Sequence, residues 1–387
     1  MLKNVNFRPG IYISARIKIF VLALWQMNFP YKKQPLKSIL IFLGIILIVR
    51  LLSFFCNESL IKVNSFFSGL LVRVSVLLPF SLGDLFYTLL ILFLLILSFR
   101  ILRSILRKNR LELKQNLRLL FYLLTCFYLI FHLFWGFNYY KNPIKDAFDT
   151  EKIETGELKT LAEFYLKNCR NLREIVKEDR NRIFKPDLND SQIEIEMNKI
   201  RSRLIETYPE LNFNSIEISN LKPSLYSEMF SYLGVLGYYV PFTAESQFNS
   251  KMPATKSLFT KFHETAHLWG FAPENEANFV GFMIGLNSEN INFQYVANYK
   301  ALKSILNKIV WEDPAYVEGF LERYSEPMKR DREFEKLIQK KYQGTSDDAF
   351  SMLNEAYLRL NNQEGLASYG KFVELLVGFH RKYPQGN

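Results

Sequence analysis

One stretch of this chain has residue types and spacing that could hold a metal ion, His263-Glu264-Thr265-Ala266-His267. It lies in a segment with a helical pattern, and two histidines four residues apart leave the same face of a helix. Both rings can therefore bind one ion, and the glutamate between them can act as a general base on a water molecule. The chain has only 4 histidines, two of them at this spacing. The stretch indicates a zinc hydrolase carrying one Zn2+ per chain.

A catalytic zinc needs a third protein ligand and one open position for water. Pro273 stands where the metzincin pattern H-E-x-x-H-x-x-G-x-x-H has its last histidine, which excludes a metzincin. Gly270 and Pro273 are expected to end the first helix, and a second helix then begins near Glu274. A carboxylate on its first turn would face the histidines. That carboxylate is Glu274 or Glu276, which point about 200° apart on a helix, so only one can reach the metal.

The segment Glu274-Asn275-Glu276-Ala277-Asn278 resembles the gluzincin arrangement, in which a second helix carries E-x-x-A-D or E-x-x-A-N. The resemblance implies that Glu274 is the third ligand. It also implies that Asn278, one turn later on the same face, orients a histidine. Glu276 remains the alternative ligand.

Upstream of the motif, residues 226–250 alternate aromatic and β-branched residues around glycines and Pro241, which predicts a strand and turn pair. Because proline cannot donate to a β-ladder, this strand is expected at an edge. Extended substrates of zinc peptidases commonly pair with an edge strand beside the metal. A plain core hairpin is the alternative. The residues predicted to be extended and to bind substrate are Tyr238, Tyr239, Val240, Pro241, Phe242 and Thr243.

The expected chemistry is hydrolysis of a peptide bond. Zinc lowers the pKa of a water molecule, and Glu264 takes its proton and returns it to the leaving amine. A further donor normally stabilises the oxyanion. The candidates for that donor are Tyr238, Tyr239, Tyr295, Tyr299 and His380.

The elements before residue 140 are dominated by leucine, isoleucine and phenylalanine, unlike the charged helical part that follows. Three stretches have about the 20 residues that cross a bilayer. Residues 66–81, between the first two, are expected to be interfacial or re-entrant. Basic residues precede the first stretch and separate the second from the third, which predicts a cytoplasmic N-terminus. The predicted spans are residues 36–56, 82–99 and 117–137.

Three crossings place the rest of the chain outside the cytoplasm. We therefore expect a basic cytoplasmic leader at 1–35, a membrane anchor at 36–138 and an extracytoplasmic domain at 139–387. In a bacterium with two membranes, this is an inner-membrane protein with a periplasmic domain. Its fold class is expected to be mainly α with a small β-sheet, a three-helix transmembrane anchor followed by a zincin-like α+β metallopeptidase domain.

The net charge of +11 does not indicate nucleic-acid binding, because the basic excess lies mainly beside the apolar stretches. The partners expected are membrane lipid and a peptide or protein substrate in the cell envelope. Only Cys169 of the 3 cysteines lies in the predicted soluble domain, so that domain can form no internal disulfide.

Four motifs together resemble an uncharacterised bacterial membrane-protein family with a zincin-like signature. They are PFSLGD at 79–84, GFNYY at 136–140, YYVPFTAE at 238–245 and HETAHLWGFAPENEANF at 263–279. The resemblance covers the chain from about residue 36 and implies a bacterial inner-membrane protein and metallopeptidase. The leading hypothesis is a membrane-anchored zinc metalloendopeptidase, and the alternative is a non-catalytic envelope sensor or scaffold with a structural zinc.

Overall fold

The computed structural model describes residues 35–55, 57–214, 216, 220–342 and 368–384. The predicted leader at 1–35 therefore lies outside the described residues, apart from Pro35. Within the described part, the chain is mainly helical with one small sheet, as predicted.

The helices up to residue 232 fall into two groups. The four helices of the predicted anchor region are α1 (Pro35–Phe55), α2 (Asn57–Ser75), α3 (Leu82–Leu106) and α4 (Arg110–Phe134). Short 3-10 helices follow at Gly136–Tyr140, Ile144–Ala147 and Pro209–Leu211, with α5 (Thr155–Arg173), α6 (Asp190–Thr207) and α7 (Ser227–Tyr232) around them.

The remaining helices carry and enclose the histidine motif. They are α8 (Ala254–Leu268), α9 (Glu274–Leu286), α10 (Ile291–Ile309), α11 (Pro314–Glu322), α12 (Glu326–Tyr342) and α13 (Ser368–Lys382). Phe262 and Ala266 of α8 are fully buried, as are Phe282 of α9 and Ile305 of α10. These side chains belong to one continuous hydrophobic core, so the motif is on a helix that its neighbours hold rigidly.

The sheet has three strands in the order β1-β3-β2, with β1 at Leu221–Pro223, β2 at Gly237–Val240 and β3 at Glu245–Phe248. β2 pairs antiparallel with β3 and β1 pairs parallel with it. β2 is therefore an edge strand, as predicted, but it is shorter than expected. Residues 241–244 form the turn to β3, since Ala244 N–H donates to Val240 C=O at 2.8 Å. Pro241, Phe242 and Thr243 thus belong to that turn rather than to the strand.

Two helices, α3 and α4, are long and apolar enough to cross a membrane, and each has 25 residues. They contain the predicted spans 82–99 and most of 117–137. The apolar helical part of α1, Leu40–Leu52, is shorter. The described residues therefore contain two candidate spans and not the three predicted. Residues 66–75 of the predicted interfacial segment belong to α2.

The chain divides into two compact units. One comprises residues 1–47 and 93–125, and the other comprises residues 48–92 and 126–387. This division differs from a boundary at residue 138, because residues 48–92 belong to the same unit as the histidine motif. That unit includes α2, the start of α3 and the end of α4.

Candidate metal centre

The two motif histidines lie on one face of α8, and their ring centroids are 4.8 Å apart. Glu274 faces both rings, with Oε2 3.1 Å from His263 Nε2 and Oε1 3.5 Å from His267 Nε2. Two ligand atoms at about 2.1 Å from a tetrahedral zinc lie about 3.4 Å apart. One ligand atom from each of the three residues lies within 4.8 Å of the other two. The cluster therefore has the donor types and the spacing that suit one zinc ion.

The chain reverses between the histidines and the glutamate at Gly270. This glycine has φ +91°, its N–H donates to His267 C=O at 2.9 Å, and Phe271 N–H donates to Ala266 C=O at 3.1 Å. This pair of bonds is the Schellman motif that ends a helix. α9 begins three residues after Phe271, which places Glu274 on its first turn as the sequence predicts. An anion is favoured at that position by the helix dipole.

Glu276 lies away from the histidines. Its Oε1 accepts the backbone N–H of Ile144 at 2.9 Å. Burial raises the pKa of the Glu276 carboxyl to about 7, against the opposing effects of the Ile144 N–H and of Lys141. In this structure Glu276 fixes the 3-10 helix at Ile144–Ala147 to α9, and Glu274 is the carboxylate beside the rings.

Asn278 does not orient a histidine as predicted. Its side-chain amide donates to the backbone C=O of Glu274 at 2.8 Å, within α9. The nitrogen Nδ1 of His267 is bonded instead to the backbone C=O of Phe271, at 2.7 Å. The Gly270 turn thus provides the group that sets the ring and leaves Nε2 for the metal. The gluzincin pattern could not reveal this partner, because a backbone carbonyl has no sequence signature.

The charges at the site fit a divalent cation. Burial by itself opposes ionisation of Glu274, but His267 and His263 outweigh it and hold the pKa of this carboxyl well below its ordinary range. Burial also lowers the pKa of His263, in spite of the neighbouring Glu274. Against the effect of burial, Glu274 and Glu264 raise the pKa of His267 to about 9. The site therefore combines an anionic oxygen and a ring that favours its neutral form with a second ring that must lose its proton when a metal binds, because a metal ligand must be deprotonated.

Glu264 is on the same helix, and only 4% of its surface is exposed. Burial raises the pKa of its carboxyl to about 8, with His267 acting in the opposite direction and Glu274 adding to the rise. It lies against β2, since a Cβ built on Gly237 would come within 2.7 Å of its Oε1. A carboxyl with a raised pKa in a cavity beside a metal cluster is a candidate general base.

The cluster opens into a cavity of about 500 Å³. His263, Glu264, His267, Glu274 and Asn278 all line it. The predicted substrate residues also line it, except Val240 and Thr243. The other lining residues are Tyr87, Phe131, Trp135, Tyr139, Gly234, Val235, Leu236, Gly237, Tyr238, Tyr239, Pro241, Phe242, Phe259, Thr260 and Lys300.

The side chains of β2 and its turn hold the edge strand against residues of the anchor region. The hydroxyl of Tyr238 donates to Asp84, and Val240 packs closely on Gly83. The hydroxyl of Thr243 donates to Glu245 at 2.9 Å. These contacts fix β2, at the edge of the sheet, against the start of α3.

Of the predicted oxyanion donors, Tyr238 and Tyr239 line the cavity, and burial raises the pKa of both phenols. Tyr295, Tyr299 and His380 do not line it. Tyr295 donates to Asp331 at 2.7 Å, and His380 contacts the hydroxyl of Tyr165 at 2.7 Å.

The sequence interpretation did not identify two other wall residues. Trp135 donates from Nε1 to the backbone C=O of His267 at 3.4 Å, and its ring lies 6.0 Å from that imidazole. Lys300 places an amine in the wall, and burial, with the charges of Lys303 and Lys256, lowers its pKa to about 8. Trp135 directly precedes the GFNYY motif, and this position was a sequence signal for it. No sequence pattern pointed to Lys300.

Comparison with known families agrees with the resemblance to an uncharacterised family. Residues 60–377 match the family described as protein of unknown function (DUF3810). The chain belongs to this family. The DUF3810 match includes α3, α4, the sheet and the whole metal cluster. No curated protein and no solved structure was found to match the chain.

Proposed function

We propose that this DUF3810 chain is a membrane-anchored zinc metallopeptidase with a zincin-like, gluzincin-type site. The observation that carries the proposal is the cluster of His263, His267 and Glu274, which shares one cavity with the buried Glu264. Three such ligands with an open side suit catalysis better than structure, because structural zinc sites are closed by four protein ligands. The expected cofactor is one Zn2+ per chain.

In the proposed mechanism, His263, His267 and Glu274 would hold the zinc. Bound zinc supplies a Lewis acid that polarises the scissile carbonyl and lowers the pKa of a water molecule. Glu264 accepts a proton from the attacking water and passes it to the leaving amine. Its ionised form is favoured when a cation lies beside it. The substrate chain lies extended along β2, which adds main-chain hydrogen bonds at the edge of the sheet.

The anchor is part of the proposal. Only 6% of the residues in the apolar windows of α3 and α4 are buried within the protein. A core helix of a soluble protein would be covered, so this exposure supports a lipid environment. The connection between α3 and α4 carries Arg107, Lys108 and Arg110, so it lies in the cytoplasm and the site lies outside, on the periplasmic side of a bacterial inner membrane. The partners are then lipid and an envelope peptide or protein.

The test uses the purified full chain in detergent. Elemental analysis is expected to find about one zinc per chain. Mass spectrometry of a mixture of unstructured peptides is expected to show cleavage, and Glu264→Gln should lower its rate by about 10²–10⁴-fold with the zinc retained.

The alternative function, an envelope sensor or scaffold with a structural zinc, predicts a different result. In that case Glu264→Gln changes nothing, and His263→Ala unfolds the domain. A full chain that binds no zinc, or a Glu264→Gln variant that cleaves as fast as the wild type, would overturn the peptidase proposal.

A further inference from the structure

The wall of the cavity is built partly from the two candidate spans. Tyr87 lies five residues after the start of α3, and Phe131 lies three residues before the end of α4; both line the cavity. Phe242, in the turn after β2, lines it too. Its ring packs 5.1 Å from the rings of both Phe86 and Phe127. The substrate edge of the sheet is therefore in direct contact with the candidate spans.

The contact with Phe242 lies near the start of α3 and near the end of α4. Phe127 is seven residues from the end of α4, which is about 10 Å along a helix with a rise of 1.5 Å per residue. A helix of 25 residues is about 37 Å long, whereas the hydrocarbon layer is about 30 Å thick. About 4 Å at each end of a crossing helix therefore lies among lipid headgroups. The contact with Phe127, about 10 Å from the end of α4, lies in the outer part of the hydrocarbon layer of such a membrane.

The start of α3 is fixed to the sheet by buried carboxylates. Glu245 on β3 accepts the backbone N–H groups of Leu82 at 3.1 Å and Gly83 at 2.5 Å. Asp84 accepts the backbone N–H of Leu225 at 2.7 Å and the hydroxyl of Tyr238 on β2. An anion at a helix N-terminus gains from the helix dipole as well as from these bonds. The strand beside Glu264 is thus held at the start of α3.

The segment around α7 adds an exposed apolar surface at the same place. Leu225, Met229, Tyr232 and Leu236 are each between 38% and 62% exposed. Single exposed apolar residues are ordinary, but four within twelve positions next to the first turn of α3 form a patch. The Asp84–Leu225 bond keeps this patch beside the candidate span. Such a surface suits contact with lipid, since the neighbouring helix α3 is itself apolar and exposed.

From these contacts we propose that the substrate is a polypeptide anchored in the same membrane, cut within a few residues of the bilayer surface. This inference rests on the proposed peptidase function and on α3 and α4 crossing the membrane. The segment that leaves the bilayer lies along β2, and its apolar side chains pack against Tyr87, Phe131 and Phe242. A chain that reaches the cavity from free solution lacks the anchor that brings such a segment to this depth.

The experiment places the full zinc-loaded chain in lipid vesicles with three substrates that carry the same randomised segment of about twelve residues. In the first, the segment directly follows an apolar helix of about 20 residues. In the second, called the raised segment, a flexible spacer of about 30 residues rich in glycine and serine separates the segment from the same helix. In the third, it is a free peptide. Mass spectrometry identifies the cleavage positions, and the Glu264→Gln chain is the blank.

The proposal predicts that the segment next to the helix is cut at least 10-fold faster than the raised segment, although both are tethered to the same vesicle. Equal rates, or faster cleavage of the raised or free segment, would overturn the inference and leave the peptidase function intact. Failure to cut any of the three substrates with zinc bound would overturn both.

A matched pair of variants tests the role of the patch. Met229→Glu puts a charge on the exposed surface of α7, outside the cavity lining. It is expected to slow cleavage of the segment next to the helix by several-fold and to leave cleavage of the free peptide unchanged. Ile175→Glu, at a residue that is 60% exposed after the end of α5, is expected to change neither rate. A Met229→Glu chain with an unchanged rate on both substrates would contradict the lipid contact on which the inference depends.

Discussion

Gly237 lies directly against the carboxylate of Glu264. A Cβ at position 237 would come within 2.7 Å of Glu264 Oε1, within 2.5 Å of Thr260 Cγ2 and within 2.8 Å of the backbone oxygen of Gln247. There is therefore no room for a side chain between the edge strand and the carboxylate of the proposed general base. The strand that would bind the substrate also sets the position of the group that would act on it.

This contact predicts that Gly237→Ala damages hydrolysis without removing the metal. Because the added methyl group meets Glu264 on one side and a backbone oxygen on the other, the carboxylate has to move. A displacement of about 1 Å in a catalytic group can cost about 10²-fold in rate, and overpacking costs about 1–3 kcal/mol of stability. Zinc content, measured by elemental analysis, is expected to stay at that of the wild type, since neither histidine is touched.

Gly319→Ala on α11 is the matched control, because a Cβ at that position meets nothing within 4 Å. In the middle of an exposed helix this change is expected to raise stability by about 0.5–1 kcal/mol and to leave hydrolysis unchanged. If the Gly237→Ala and Gly319→Ala chains hydrolyse peptides equally fast, hydrolysis does not depend on the contact between Gly237 and the Glu264 carboxylate.

Glu274 and Glu276 lie in different surroundings, so replacing each of them by glutamine is expected to affect zinc binding differently. Glu274→Gln removes the anionic oxygen that faces both rings. Loss of a group that only orients a metal ligand costs about 10–100-fold in metal affinity. Loss of the ligand's own charge is expected to lower zinc affinity by more than that. Glu276→Gln keeps an oxygen that can accept the Ile144 N–H, and zinc affinity is expected to stay the same. Competition titration with a zinc chelator measures both. Equal losses of zinc affinity in the two variants would show that Glu274 is not the third zinc ligand.

Local sequence patterns were enough to predict the elements of the cluster. The four-residue histidine spacing, the helix-ending Gly270 and the acidic start of α9 all act within about fifteen residues, so their geometry follows from helix periodicity and turn chemistry. The length of β2 was overestimated because the alternating pattern continues past Pro241, whereas the bonds from Thr243 and Ala244 to Val240 close a turn.

Contacts between distant residues could not be predicted in this way. The pairing of Glu245 with the start of α3 joins residues more than 160 positions apart, and the contact between Trp135 and His267 spans 132 positions. Such contacts depend on how whole elements pack, which no local pattern encodes. They are also the reason that part of the predicted anchor belongs to the same compact unit as the cluster.

His380 makes the stability of the fold depend on pH. It lies between Phe164 and Tyr165, with Nε2 2.7 Å from the Tyr165 hydroxyl, and burial lowers its pKa from 6.5 to about 4. Above pH 6.5 the ring is neutral in both the folded and the unfolded chain, so it favours neither. Between pH 6.5 and about 4 the unfolded chain binds a proton that the folded chain does not. Stability is therefore lost as the pH falls through this window.

The size of this loss is at most about 3 kcal/mol, since each pKa unit corresponds to about 1.36 kcal/mol. His380→Gln keeps a group that can bond to Tyr165 and removes the titration. The free energies of urea unfolding of the two full chains in detergent should therefore differ less at pH 5 than at pH 7.5, or change order, as the wild type loses stability. Other titrating groups act equally on both chains, so the difference isolates His380. Parallel pH profiles for the two chains would show that this histidine accepts a proton inside the fold without cost.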